Sequence, residues 1–191
     1  VQALRDDALK TVNMVGAGVL ETRALMAFLP KIARAHLGRG LALPNIATWW
    51  CGQEAQRDHV LAHSEQMMVG NAFSTRPLMA DPARLTIGNG PDNTSADSLE
   101  KMLRTAGRDY VGQEAVTLST TPSFENGEMV ARPMCIRISL GRTADGWEVM
   151  PGGYARISAG ADAKAMAMQQ GGKVADVWIA SKTKLPASPL L

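Results

Sequence analysis

Apolar and polar residues alternate along Arg132-Pro-Met-Cys-Ile-Arg-Ile-Ser-Leu140. Met134, Ile136, Ile138 and Leu140 fall on one face, and Cys135, Arg137 and Ser139 on the other. A period of two predicts a strand with one face against a core and the other facing polar surroundings. The dipeptides Asn126-Gly127 and Asp145-Gly146 tolerate positive φ and predict hairpin turns on either side of it. With apolar-rich segments at 110–118, 147–150 and 151–157, the stretch 109–158 reads as an antiparallel β-meander.

Elsewhere the period is helical. Residues 1–12 predict a short helix with Leu4, Ala8 and Leu9 inward. Across 22–37, Leu25, Phe28, Leu29, Ile32 and Leu37 recur near helical spacing, and Pro30 either opens a second helix or kinks a single one. Gly38 suits the residue just past a helix end. A further helix is predicted over 53–65, a buried strand over 66–73, and a long loop or lid over 74–97. Residues 95–106 form an amphipathic pattern capped by Ser95 or Thr94, with Leu99, Met102 and Leu103 inward and Gly107 as its stop. After the meander come a short helix at 162–169, a closing strand at 176–180 and a tail at 182–191. The fold class is α+β, an antiparallel meander packed with helices. The whole chain 1–191 reads as one fragment with a mostly helical part at 1–65, a β part with its helix at 66–158, and closing elements at 159–191.

Composition narrows the function classes. Hydrophobic residues make up 46% and charged residues 20% of 191, as expected of a globular chain. A net charge of +2 argues for neither nucleic acid nor an acidic membrane as partner. The two cysteines, Cys51 and Cys135, form no metal spacing and no disulfide framework, which fits a reducing cytoplasm. The chain opens on Val1 rather than methionine, as a piece of a longer protein would.

Several residues invite a chemical reading beside a structural one. Gly16 and Gly18 before a helix fit a backbone cradle for phosphate, or a simple turn. The pair Trp49-Trp50 fits a stacking platform, or a core plug with an interface cover. His59 and His63 stand four apart on one helix face, but no glutamate lies between them as in the zinc-protease pattern. Cys51 has no oriented base in the sequence. Arg137, amid small polar groups, fits an anion ligand, or an ion pair with Glu114 or Glu148. Arg156 follows a turn, where functional residues concentrate.

The ordered set Asn13…Gly16-Ala-Gly-Val-Leu-Glu21, Leu43-Pro-Asn-Ile-Ala-Thr-Trp-Trp-Cys-Gly-Gln53, Tyr110-Val-Gly-Gln-Glu114, Arg132-Pro133, Val149-Met-Pro-Gly-Gly153 with Arg156, and Gly171-Gly172 resembles the circularly permuted ATP-grasp type 2 family, relatives of the glutathionylspermidine synthetases. The resemblance covers about 11–181 and implies a partial permuted ATP-grasp unit. It implies ATP and magnesium as cofactors, with the magnesium ligands and a further part of the same chain upstream of Val1. The implied activity is ligation of a carboxylate to an amine on a peptide-like or amino-acid-like substrate.

By the same resemblance Gln113 and Glu114 are the hinge that reads adenine and ribose, on opposite faces of their strand. Arg137 and Arg156 are phosphate or acyl-phosphate partners, Arg23 is a basic cofactor residue, and the arginines share a crevice with Gln113. Two departures stand out. Gly70 occupies the family's phosphate-lysine position, and Ala175 occupies a second lysine position with Lys173 two residues early. A degenerate, non-catalytic module that binds or scaffolds is the alternative these departures favour.

Overall fold

The computed structural model describes residues 2–6, 8–9, 11, 13, 15–76, 85–86, 95–161 and 171–180. The chain divides into two units, Val1–Val116 and Thr117–Leu191.

The first unit opens with the single turn α1 (Gln2–Arg5), a 3₁₀ turn over Ala17–Glu21, and the helices α2 (Arg23–Met26) and α3 (Leu29–Leu37). Pro30 lies in the first turn of α3, where its missing N–H leaves no hydrogen bond unmade. The 22–37 pattern is therefore two helices rather than one kinked helix. Gly38 ends α3 in the left-handed region, its N–H donating to the Arg34 carbonyl at 3.1 Å.

Next come β1 (Thr48–Trp50), α4 (Glu54–Ala62), β2 (Met67–Asn71), β3 (Leu85–Thr86), α5 (Ala96–Ala106) and β4 (Tyr110–Glu114). The strands form an antiparallel sheet in the order β1-β4-β2-β3. Its core joins Cys51, Val60, Val69, Leu99 and Leu103. Leu99 and Leu103 lie four apart on α5, and Met102 and Trp49 pack beside them. Each fully buried leucine contributes about 1.5–3 kcal/mol through apolar area removed from water. The Ser95 hydroxyl caps α5, accepting from the Ser98 N–H at 3.3 Å.

One expectation is corrected here. The segment 110–118 is not the first strand of a meander. Its strand ends at Glu114 and lies between β1 and β2 of the first unit. Val111, Gly112 and Gln113 are all buried, as suits a central strand covered on both faces, so long-range pairing in the first sheet takes this segment. β1 and α4 share their unit with β2 and β4.

The second unit contains β5 (Thr120–Glu125), β6 (Glu128–Arg137), β7 (Leu140–Thr143), β8 (Gly146–Val149), β9 (Gly153–Ile157) and β10 (Lys173–Val177). Four of them make an antiparallel sheet in the order β10-β9-β6-β5, and β7 and β8 pair as a separate hairpin. Asn126 and Gly127 close the β5–β6 hairpin with φ of 51° and 90°, the two positive values a tight hairpin turn needs.

The alternating run at 132–140 is only partly one strand. β6 starts earlier, at Glu128, and stops at Arg137, while Leu140 opens β7. The face expected to be core is buried at Ala155 and Ile157 of β9, opposite Ile136 and Met134, but Ile138 and Leu140 are 57% and 61% exposed. The closing strand lies at Lys173–Val177 rather than 176–180, because its register with β9 runs from Ile157 to Gly153. The expected helix at 162–169, the tail at 182–191 and most of the 74–97 loop lie outside the described residues. Among the described residues no helix is long and apolar enough to cross a membrane.

Candidate functional site

In the first unit the hinge pair is split as strand alternation requires. The Gln113 side chain is 3% exposed, and its amide Nε2 donates to Thr48 Oγ1 at 2.9 Å and approaches Met26 Sδ at 3.5 Å. Glu114 points to solvent, and its backbone N–H donates to the Ala47 carbonyl at 3.1 Å. Gln113 therefore ties β4 to β1 and to α2, and fixes the hydroxyl of Thr48. Thr48 in turn lines a hollow of about 230 Å³ with Phe28, Lys31, Trp49, Trp50 and Gln53.

Arg23 is almost wholly buried. Its Nε donates to the Arg76 carbonyl at 2.7 Å and one Nη to the Asn71 carbonyl at 3.1 Å, which pins the start of α2 to the end of β2. Gly16 has φ of 93° and its carbonyl accepts from the Val19 N–H, the geometry of a turn leading into the five-residue 3₁₀ segment that holds Gly18.

The tryptophans serve packing. Trp49 stacks on His59 with ring centroids 4.6 Å apart, and the Trp50 indole N–H donates to the Arg108 carbonyl at 2.9 Å. Cys51 is fully buried, and burial pushes its thiol up to about 11, far from a neutral-pH nucleophile.

In the second unit the structure brings both predicted arginines together. Arg137 on β6 lies directly opposite Tyr154 on β9, and Arg156 is two residues further along the same strand and so on the same face. Arg137 Nη1 donates to the Tyr154 hydroxyl at 3.1 Å. That hydrogen bond, and then the charges of Arg137 and Arg156, hold the phenol below the usual tyrosine range. Cys135 and Asp176 occupy the cross-strand positions beside Arg156 and Tyr154. The result is a partly exposed sheet face with two guanidinium groups beside one hydroxyl. Tyr154 escaped the sequence reading. The alternation Tyr154-Ala-Arg156 was a signal, but its pairing with Arg137 depends on a register that is not local.

On the opposite face of this sheet Glu125, Arg132 and Lys173 bind one another. Glu125 accepts from Arg132 and from Lys173 Nζ, the latter at 2.9 Å, and Lys173 also donates to Ser123 at 3.1 Å. Lys173 is thus committed to a carboxylate and a hydroxyl of its own sheet. Gly70 is buried in β2 opposite Val111. The hydrogen bond from Arg132, followed by that from Lys173, holds the Glu125 carboxyl down at about 2. A carboxyl depressed in the folded state stabilises it above the ordinary value of 4.5 and loses that contribution as pH falls toward about 2. The melting-temperature gap between wild type and Glu125→Gln is therefore expected to be full at neutral pH and to close across that window.

Among the described residues no group of three or more His, Cys, Asp or Glu side chains is arranged to hold a metal ion.

The family described as circularly permuted ATP-grasp type 2 matches residues 1–158. The chain is 27% identical over 188 residues to "Putative glutamate--cysteine ligase 2-2" of Frankia casuarinae, covering 94% of this chain and 20% of that protein. It is 23% identical over 179 residues to the uncharacterized protein sll0335 of Synechocystis, covering 94% of this chain and 36% of that one. A protein of Mycobacterium tuberculosis, the uncharacterized Rv2567, is 25% identical over 161 residues. The chain spans 20% and 36% of the length of the first two of these curated relatives.

Proposed function

This chain belongs to the circularly permuted ATP-grasp type 2 family, and on that premise we propose that it is the nucleotide-handling portion of an ATP-dependent carboxylate–amine ligase acting on an amino-acid-like or peptide-like substrate. The observation that carries the reading is the cluster of Arg137 and Arg156 around Tyr154. Phosphoryl transfer asks a protein chiefly for fixed positive charge and positioned donors at the phosphate oxygens. Two guanidinium groups on one strand pair supply both, each with a fork that matches two oxygens. In this reading Gln113 is a positioning residue, its amide holding Thr48 and α2, and Glu114 is the solvent-facing member of the hinge.

The names of the two Frankia relatives, each a putative glutamate--cysteine ligase, support an amino acid as the carboxylate or amine partner. The experiment is thermal melting of the full 191-residue chain with and without Mg-ATP. A ligand at a hundred times its Kd adds about 2.7 kcal/mol of stability, so a clear rise in Tm is expected. No shift at millimolar Mg-ATP contradicts the reading.

A second reading, a binding or scaffold module without turnover, is favoured by Gly70 at the phosphate-lysine position and by the commitment of Lys173 to Glu125. Mg-ATP binding with no nucleotide hydrolysis in the presence of amino acids selects it over the first.

A further inference from the structure

We propose that Tyr154 is the positioning residue of the arginine face, holding Arg137 in register with Arg156 and adding its own hydroxyl proton as a third donor to an anionic phosphoryl oxygen. This rests on the reading of Arg137 and Arg156 as phosphate partners. Three observations carry it. The β6–β9 register sets Tyr154 opposite Arg137, and Arg156 follows two residues later on that face. The phenol oxygen accepts from Arg137 Nη1 at 3.1 Å, which leaves its own O–H to donate outward. A phenol that accepts from a guanidinium is also a stronger donor, since chains of hydrogen bonds polarise one another.

The charged and titratable groups around that hydroxyl are Arg137 on β6, Arg156 on its own strand, Asp176 across on β10, and Cys135 opposite Arg156. Two of these are cations, so the local field favours an anion. Bound there, an anion cancels the field that now favours the phenolate, so the phenol then needs a higher pH to ionise.

The chain has only two tyrosines, Tyr110 and Tyr154. Tyr110→Phe, at a residue packed on the first unit's core, leaves Tyr154 as the sole phenol. Its phenolate absorbance is followed on raising the pH, with and without sodium tripolyphosphate. The expected result is a midpoint that moves to higher pH when tripolyphosphate is present. In parallel, Tyr154→Phe is expected to weaken binding of tripolyphosphate and Mg-ATP about three- to tenfold with Tm unchanged.

Tripolyphosphate that binds without moving the midpoint, or equal binding by Tyr154→Phe, overturns the role of Tyr154 and leaves the arginines as they are. Equal binding by variants lacking both arginines, or no binding by the wild type, overturns the underlying reading as well. A fall in Tm with binding unchanged assigns Tyr154 to structure alone and overturns the proposal.

Discussion

Replacing both Arg137 and Arg156 with alanine is expected to weaken Mg-ATP binding by about two to four orders of magnitude. A hydrogen bond to a charged group is worth roughly 1.5–3 kcal/mol. Two such contacts sum to about 3–6 kcal/mol, and each 1.4 kcal/mol is about tenfold in Kd. The single variants are expected to fall between wild type and double. Lysine at either position restores the charge but not the planar fork, so Arg137→Lys and Arg156→Lys are expected to recover only part of the loss. The fold should tolerate these changes. Arg137 is exposed, and surface substitutions commonly shift stability by about 0.5 kcal/mol. Calorimetric titration measures the affinities, and melting curves verify the fold.

The second large effect is on the second unit's stability. A Cβ added at Gly153 lies 2.4 Å from the Arg137 carbonyl oxygen. That neighbour is backbone inside the β6–β9 ladder, so it has no rotamer by which to yield. Gly153→Ala therefore forces the two strands apart where Arg137 meets Tyr154. Overpacking of this kind costs about 1–3 kcal/mol, and each kcal/mol shifts Tm by about 4–8 °C in a small domain. A drop of about 4–24 °C in the second unit's melting transition is expected, with Mg-ATP affinity lost alongside because the register of the arginine face is disturbed. Gly141→Ala is the control. A Cβ there meets nothing within 4 Å, and Tm should barely change.

Local signals were read correctly where the deciding contact lies within a few residues. The Leu99–Leu103 stripe and the Asn126-Gly127 turn are of this kind, while the sequence leaves open whether Pro30 starts a second helix or kinks one, and whether Ser95 or Thr94 caps α5. The segment beginning at Tyr110 was misassigned because its partners lie far away in sequence. Thr48 and Trp50 on β1 pair with Gln113 and Val111, and no nearby residue announces that. Alternation located Arg137 on a polar face, but the end of β6 at that residue was not visible in the run Ile136-Arg-Ile138.

The candidate site divides along the same line. Arg137 and Arg156 were found as residue types in suggestive places, whereas Tyr154 required the register between their strands. The fate of Lys173 was equally hidden, because its carboxylate partner Glu125 is 48 residues upstream. Arg23 was assigned to a cofactor from the resemblance. Its side chain reaches two backbone carbonyls, at Asn71 and Arg76.

The central claim is that phosphate oxygens meet the second unit at Arg137, Tyr154 and Arg156. Following the Mg-ATP titration residue by residue, through the amide and guanidinium resonances of the isotope-labelled chain, tests it most directly. The account predicts that signals of Arg137, Tyr154 and Arg156 move together along one saturating curve. Saturable shifts confined to the hollow lined by Lys31, Trp49 and Trp50, with those three residues unmoved, would contradict it.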